Sequence, residues 1–146
     1  MPLAEAPPTG TLPFEPPATS PPDLVEFWSL WRQEKFWACH EALEEVWHRE
    51  SGARRLFLNG LIHGAVAVFQ HRRGNAVGAA RQRLRATIKL DGHRPASEGV
   101  DLEAFLAGIE AEIAPSLAQL NEIQRDSIRD LEARLRLQYK APEKAE

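Results

Sequence analysis

From Leu24 onward, apolar residues recur at three- and four-residue spacing, the pattern of helices that bury one face. Leu24, Phe27, Trp28 and Trp31 mark the first helix, with Asp23 expected as its cap and Glu26 three residues on. A second helix is expected over residues 35–49. A third follows over 53–73, closed by Gly74-Asn75, and Asn75 is placed to cap a fourth over 76–90. Asp91-Gly92 stops that helix, and residues 93–99, with Pro95, form a loop. A fifth helix starts near Asp101 and carries Leu102, Phe105, Leu106 and Ile109 as its buried stripe. Pro115 is expected to open a sixth segment, striped by Leu117, Leu120, Ile123, Ile128, Leu131 and Leu135. That stripe can dock on the core or pair with a second copy, making a homodimer. No alternating run of useful strand length occurs, and no repeat of fixed period.

Residues 1–22 break this pattern. Pro2, Pro7, Pro8, Pro13, Pro16, Pro17, Pro21 and Pro22 exclude both helix and sheet ladders there. The expectation is a disordered, Pro-rich tail in which only Leu12 and Phe14 can anchor. The chain therefore divides into a tail (1–22), a helical core (23–114) and a C-terminal helix and tail (115–146). The fold class is all-α, a compact bundle of five to six helices.

Composition narrows the rest. A chain of 146 residues makes one domain, and a formal net charge of −3 gives no argument for nucleic acid or an anionic membrane. The locally basic stretch 72–94, including Arg81, Arg83 and Arg85, reads as a solvated face in preference to a nucleic-acid surface. The one cysteine, Cys39, excludes an internal disulfide and reads as core filler. Neither a secretory signal nor an apolar run long enough to span a membrane is visible, so a cytoplasmic location is the default expectation.

The chemistry concentrates in Phe36–Trp47, FWACHEALEEVW. With Phe36 at zero and about 100° per residue, His40 falls at about 40°, among Phe36, Leu43 and Trp47, and Glu44 borders that stripe at about 80°. Glu41 and Glu45, at about 140° and 180°, point to water. In the third helix, Gly60, Gly64 and Ala67 make a small-residue face, with Asn59, His63, Gln70 and His71 on or beside it. If the two helices are antiparallel neighbours, His63 meets His40 and Glu44. One reading makes His40, Glu44 and His63 ligands of a divalent metal (zinc, iron or manganese), with Glu41 as general base on metal-bound water. The other makes the cluster a hydrogen-bond network that fixes helix packing, with Gln70 or the Trp47 indole as further partners. A pocket for a small organic ligand lies between the two.

FWACHEALEEVW, followed by GLIHGAVAVFQHRRGNAVGAA, resembles the prokaryotic family called domain of unknown function 309. The features matched are His40, Glu44, Trp47, Gly60-Leu61-Ile62 and Gly74-Asn75, over about residues 24–110. Against the family pattern, His63 stands where glutamine is common and Gln70 where histidine is common. The resemblance implies a compact helical bundle. The family's occasional label, predicted metal-dependent hydrolase, implies hydrolysis at the His/Glu cluster. The function itself is left unknown, with a non-enzymatic binding or dimerisation module as the alternative.

Overall fold

The computed structural model describes residues 4–139. Six helices follow one another: α1 (Val25–Arg32), α2 (Phe36–Arg49), α3 (Gly52–Arg72), α4 (Ala76–Leu90), α5 (Leu102–Ala118) and α6 (Glu122–Gln138). The all-α bundle is thus the fold. Added to it among the described residues are two single 3-10 turns (Pro22–Leu24 and Asp91–His93) and a hairpin of two-residue strands, β1 (Ala96–Ser97) with β2 (Val100–Asp101). Glu98 and Gly99 turn it with φ of 51° and 80°, the double positive φ that a tight hairpin needs. No described helix is long and apolar enough to cross a membrane.

α3 is the central helix, and its run from Phe57 to Phe69 is buried nearly all round. Trp37 of α2 meets Phe69, and Trp47 of α2 meets Arg55, so α2 runs antiparallel to α3. His63 meets Gln82 and Asn59 meets Lys89, so α4 is antiparallel to α3 as well. Beneath them lies an aromatic core of Phe27, Trp28, Trp31, Phe36 and Phe105.

The helix ends follow their sequence signals in most places. Gly74 has φ 86°, and the bonds from Gly74 N to His71 O and from Asn75 N to Gln70 O close α3 in a Schellman motif. Asn75 and Asp101 cap α4 and α5 through their side chains. Asp23 does not cap α1. Its carboxylate takes two 2.8 Å bonds from Arg54, which also pairs with Glu50 and Glu98. Pro115 does not open a new helix: it lies inside α5, which runs on to Ala118. The break comes six residues later, where Asn121 and Gln124 form a reciprocal capping box. α6 then lays Leu131 and Leu135 on Leu84 and Ile88 of α4, a small cluster separate from the main core.

Residues 4–22, expected as a disordered tail, have a defined path in this structure. The prolines do keep helix out up to Pro21, but the segment is laid against the bundle. Phe14 is buried edge-on against Phe105 at 5.3 Å, and its carbonyl accepts from the Trp31 indole at 2.9 Å. Thr9 and Gly10 donate backbone N–H groups to Glu34 at 2.9 and 2.7 Å. Glu34 ends the α1–α2 turn with φ 60°, in the place where a helix usually takes glycine. Its carboxylate is the reason such a strap holds without secondary structure: it gathers Thr9, Gly10 and Arg72 at one buried point.

Candidate functional site

One cavity of about 360 Å³ opens between α2, α3 and α4, lined by Trp37, His40, Glu44, Trp47, Asn59, Ile62, His63, Val66, Gln70 and Gln82. The α2 wall is built by helical spacing: Trp37, His40, Glu44 and Trp47 fall within one stripe. His40 Nε2 lies 2.7 Å from Glu44 Oε2, so this nitrogen carries the proton and donates to the carboxylate. The other Glu44 oxygen lies 3.4 Å from His48 Nε2. Trp37 covers the His40 ring, centroid to centroid 4.4 Å. His40 Nδ1 is buried and has no hydrogen-bond partner.

The facing wall comes from α3 and α4. His63 Nδ1 is 2.6 Å from Gln82 Oε1, and its Nε2 is 3.0 Å from Lys89 Nζ. An amide oxygen only accepts and an ammonium only donates. The ring therefore carries its proton on Nδ1, gives it to Gln82, and accepts at Nε2 from Lys89. Lys89 donates to Asn59 Oδ1 too. Burial, and then the Lys89 charge, push the His63 pKa down to about 4, so the ring is neutral at pH 7. Burial and the nearby Arg85 charge bring Lys89 down to about 8, which leaves it largely cationic at pH 7.

The structure thus brings His40, Glu44 and His63 to one cavity. Glu41 is exposed on α2 and does not line it, as its angular position requires. Of the expected metal set, His63 has both ring nitrogens taken, Nδ1 by Gln82 and Nε2 by a cationic amine, while His40 and Glu44 are paired with each other and keep His40 Nδ1 and further Glu44 lone pairs open. Among the described residues, no three His, Cys, Asp or Glu side chains gather as a metal group. In this arrangement the residues do not fit a three-ligand centre. The small-residue face of α3 serves a different contact from the one expected. A Cβ on Gly64 would meet Phe105 at 2.5 Å and Ile109 at 2.9 Å, and one on Gly60 would meet Leu90, so the glycines admit side chains of α5 and α4.

Trp37, Gln82 and Lys89 belong to the site although the sequence reading left them aside. Gln82 and Lys89 lie seven apart, on one face of α4, a spacing that could have paired them. His71 shares a hydrogen bond at Nδ1 with Ser116 Oγ at 2.7 Å and sits 3.5 Å from Glu112, on the α5 side and away from the cavity lining. Cys39 is filler, as read: it is fully buried, its thiol lies 3.3 Å from the Phe27 carbonyl, and burial pushes its pKa far up. The basic stretch is partly engaged within the fold, with Arg83 on Glu110 at 3.0 Å and Arg81 on Ser127 at 3.3 Å.

Residues 24–82 match the model of the family described as Domain of unknown function (DUF309). The chain is similar to "Uncharacterized protein YpuF" of Bacillus subtilis (strain 168), 35% identical over 81 residues. That match covers 55% of this chain and 45% of the relative, so the chain spans less than half of the relative's length. No solved structure matches the chain.

Proposed function

We propose that the cavity of this chain binds a small organic molecule, with side-chain amides on one wall and tryptophans on the other. One observation carries this reading. The amide oxygens of Asn59, Gln70 and Gln82 are all engaged inside the protein, by Lys89, Asn75 and His63. Their N–H₂ ends are left with no protein partner among the described residues, in a cavity that those same residues line. These donors open to the cavity, where water or a ligand can take them up, and the buried His40 Nδ1 on the facing wall also lacks a partner. The apolar remainder of the lining, Trp37, Trp47, Ile62 and Val66, gives the mixed surface of small-molecule sites, and about 360 Å³ lies at the lower end of their usual size.

Tryptophan emission reads the occupancy directly, because two of the four tryptophans line the cavity. A panel of small polar compounds is expected to contain binders that shift the emission. Gln82→Leu is expected to weaken them about tenfold, the loss of about one good hydrogen bond. A panel that leaves the emission unmoved would overturn the reading.

A second reading has one observation behind it: His40, Glu44 and His63 line the same cavity. Metal-assisted hydrolysis on these residues requires Lys89 to leave His63 Nε2 and Glu41 to turn inward from solvent. Stoichiometric zinc or manganese uptake, abolished by His40→Ala, would favour it over the organic ligand.

A further inference from the structure

The two walls of the cavity differ in what they offer, and the difference names a ligand class. On the α3/α4 wall, every unengaged polar end is a donor: the amides of Asn59, Gln70 and Gln82, with the Lys89 charge behind them. On the α2 wall, the polar groups accept. Glu44 receives His40 and His48 but is 38% exposed, and a carboxylate has about four lone-pair positions. A simple anion would meet Glu44, and a simple cation would meet the Lys89 side. A neutral apolar molecule would leave both walls without partners.

We infer that the ligand is a small zwitterion of the α-amino acid type, its carboxylate against Asn59 and Gln82 and its ammonium against Glu44. This rests on the cavity being an organic-ligand site and adds the class of ligand to it. Both charged ends of such a molecule sit on one carbon, which suits a cavity whose two walls belong to adjacent packed helices. The side chain then lies on Ile62 and Val66.

The experiment is calorimetric titration of the full chain with α-amino acids from glycine to phenylalanine. The best binder is then compared with its N-acetyl and its amide derivatives. The free amino acid is expected to bind at least tenfold more tightly than either derivative, since each lacks one charged end. Glu44→Gln, which keeps the side-chain shape, is expected to weaken the amino acid and its amide and to leave the N-acetyl form unchanged. Gln82→Leu is expected to weaken the amino acid and its N-acetyl form and to leave the amide unchanged. The wild-type comparison decides the matter even if a variant fails to fold. An N-acetyl form or an amide that binds as tightly as the parent would overturn the zwitterion. So would a panel in which no amino acid binds. If neutral compounds still shift the tryptophan emission, the cavity reading survives that loss. If nothing shifts it, both fall together.

Discussion

At the scale of single residues, His63 is the most informative group. Its folded pKa, about 4, lies below the ordinary value of 6.5 because of burial first and the Lys89 charge second. A histidine held neutral adds stability that is complete above its unfolded pKa and is lost as pH falls from about 6.5 toward 4. The size is on the order of 3 kcal/mol, from about 1.4 kcal/mol per unit. Chemical denaturation between pH 7 and 4 should show this loss, and Lys89→Met should raise the His63 pKa in a histidine NMR titration. An unchanged pKa would mean that the amine does not act on the ring. Glu34 gives a second, more acidic phase. Burial alone would raise its carboxyl, but bonds from Arg72, Thr9 and Gly10 outweigh that and hold it at about 2. That contribution is present above the ordinary carboxyl value and disappears only as pH falls from about 4.5 toward 2. His40, Glu44 and His63 could be read from the sequence because helical spacing is local information. Their partners Gln82 and Lys89 could not, since pairing across helices depends on the α3–α4 register. Glu34 was hidden for a related reason: its role exists only once residues 9 and 10 come back against it.

At the scale of elements, two contacts set how the bundle closes. Gly64→Ala gains about 1 kcal/mol in helix propensity but drives a Cβ into Phe105 and Ile109. Overpacking costs about 1–3 kcal/mol, and the α5 residues have no open side to retreat to, so the net change is destabilising in thermal unfolding. A stabilised variant would mean that α5 sits farther away. The proline-rich segment should also prove part of the fold. Phe14→Ala is expected to cost about 3 kcal/mol or more, as for a buried aromatic, whereas a loose tail would lose nothing. The helix boundaries were legible wherever a side-chain cap or glycine marks them, at Gly74, Asn75 and Asp101. They were misjudged at Pro115, because a helix can run through a proline when the lost hydrogen bond faces solvent, and Pro115 is exposed.

For the whole molecule, α3 is buried nearly all round from Phe57 to Phe69, while α6 is held to α4 mainly by a small cluster of Leu84, Ile88, Leu131 and Leu135. The stability should be graded accordingly, with α6 amides exchanging with solvent well before those of α3. Leu131→Ala should accelerate α6 alone; uniform acceleration of every helix would show one cooperative unit instead. This peripheral helix brings Tyr139 to 5.3 Å from Lys89, and so links the C-terminal end of the described chain to the back of the cavity wall. The most direct test of the cavity is a side-chain amide NMR spectrum, recorded with and without a bound small molecule. Binding should move the N–H₂ resonances of Asn59, Gln70 and Gln82 together with the Trp37 indole. A bound compound that leaves those four signals in place, while shifting others, would contradict the account.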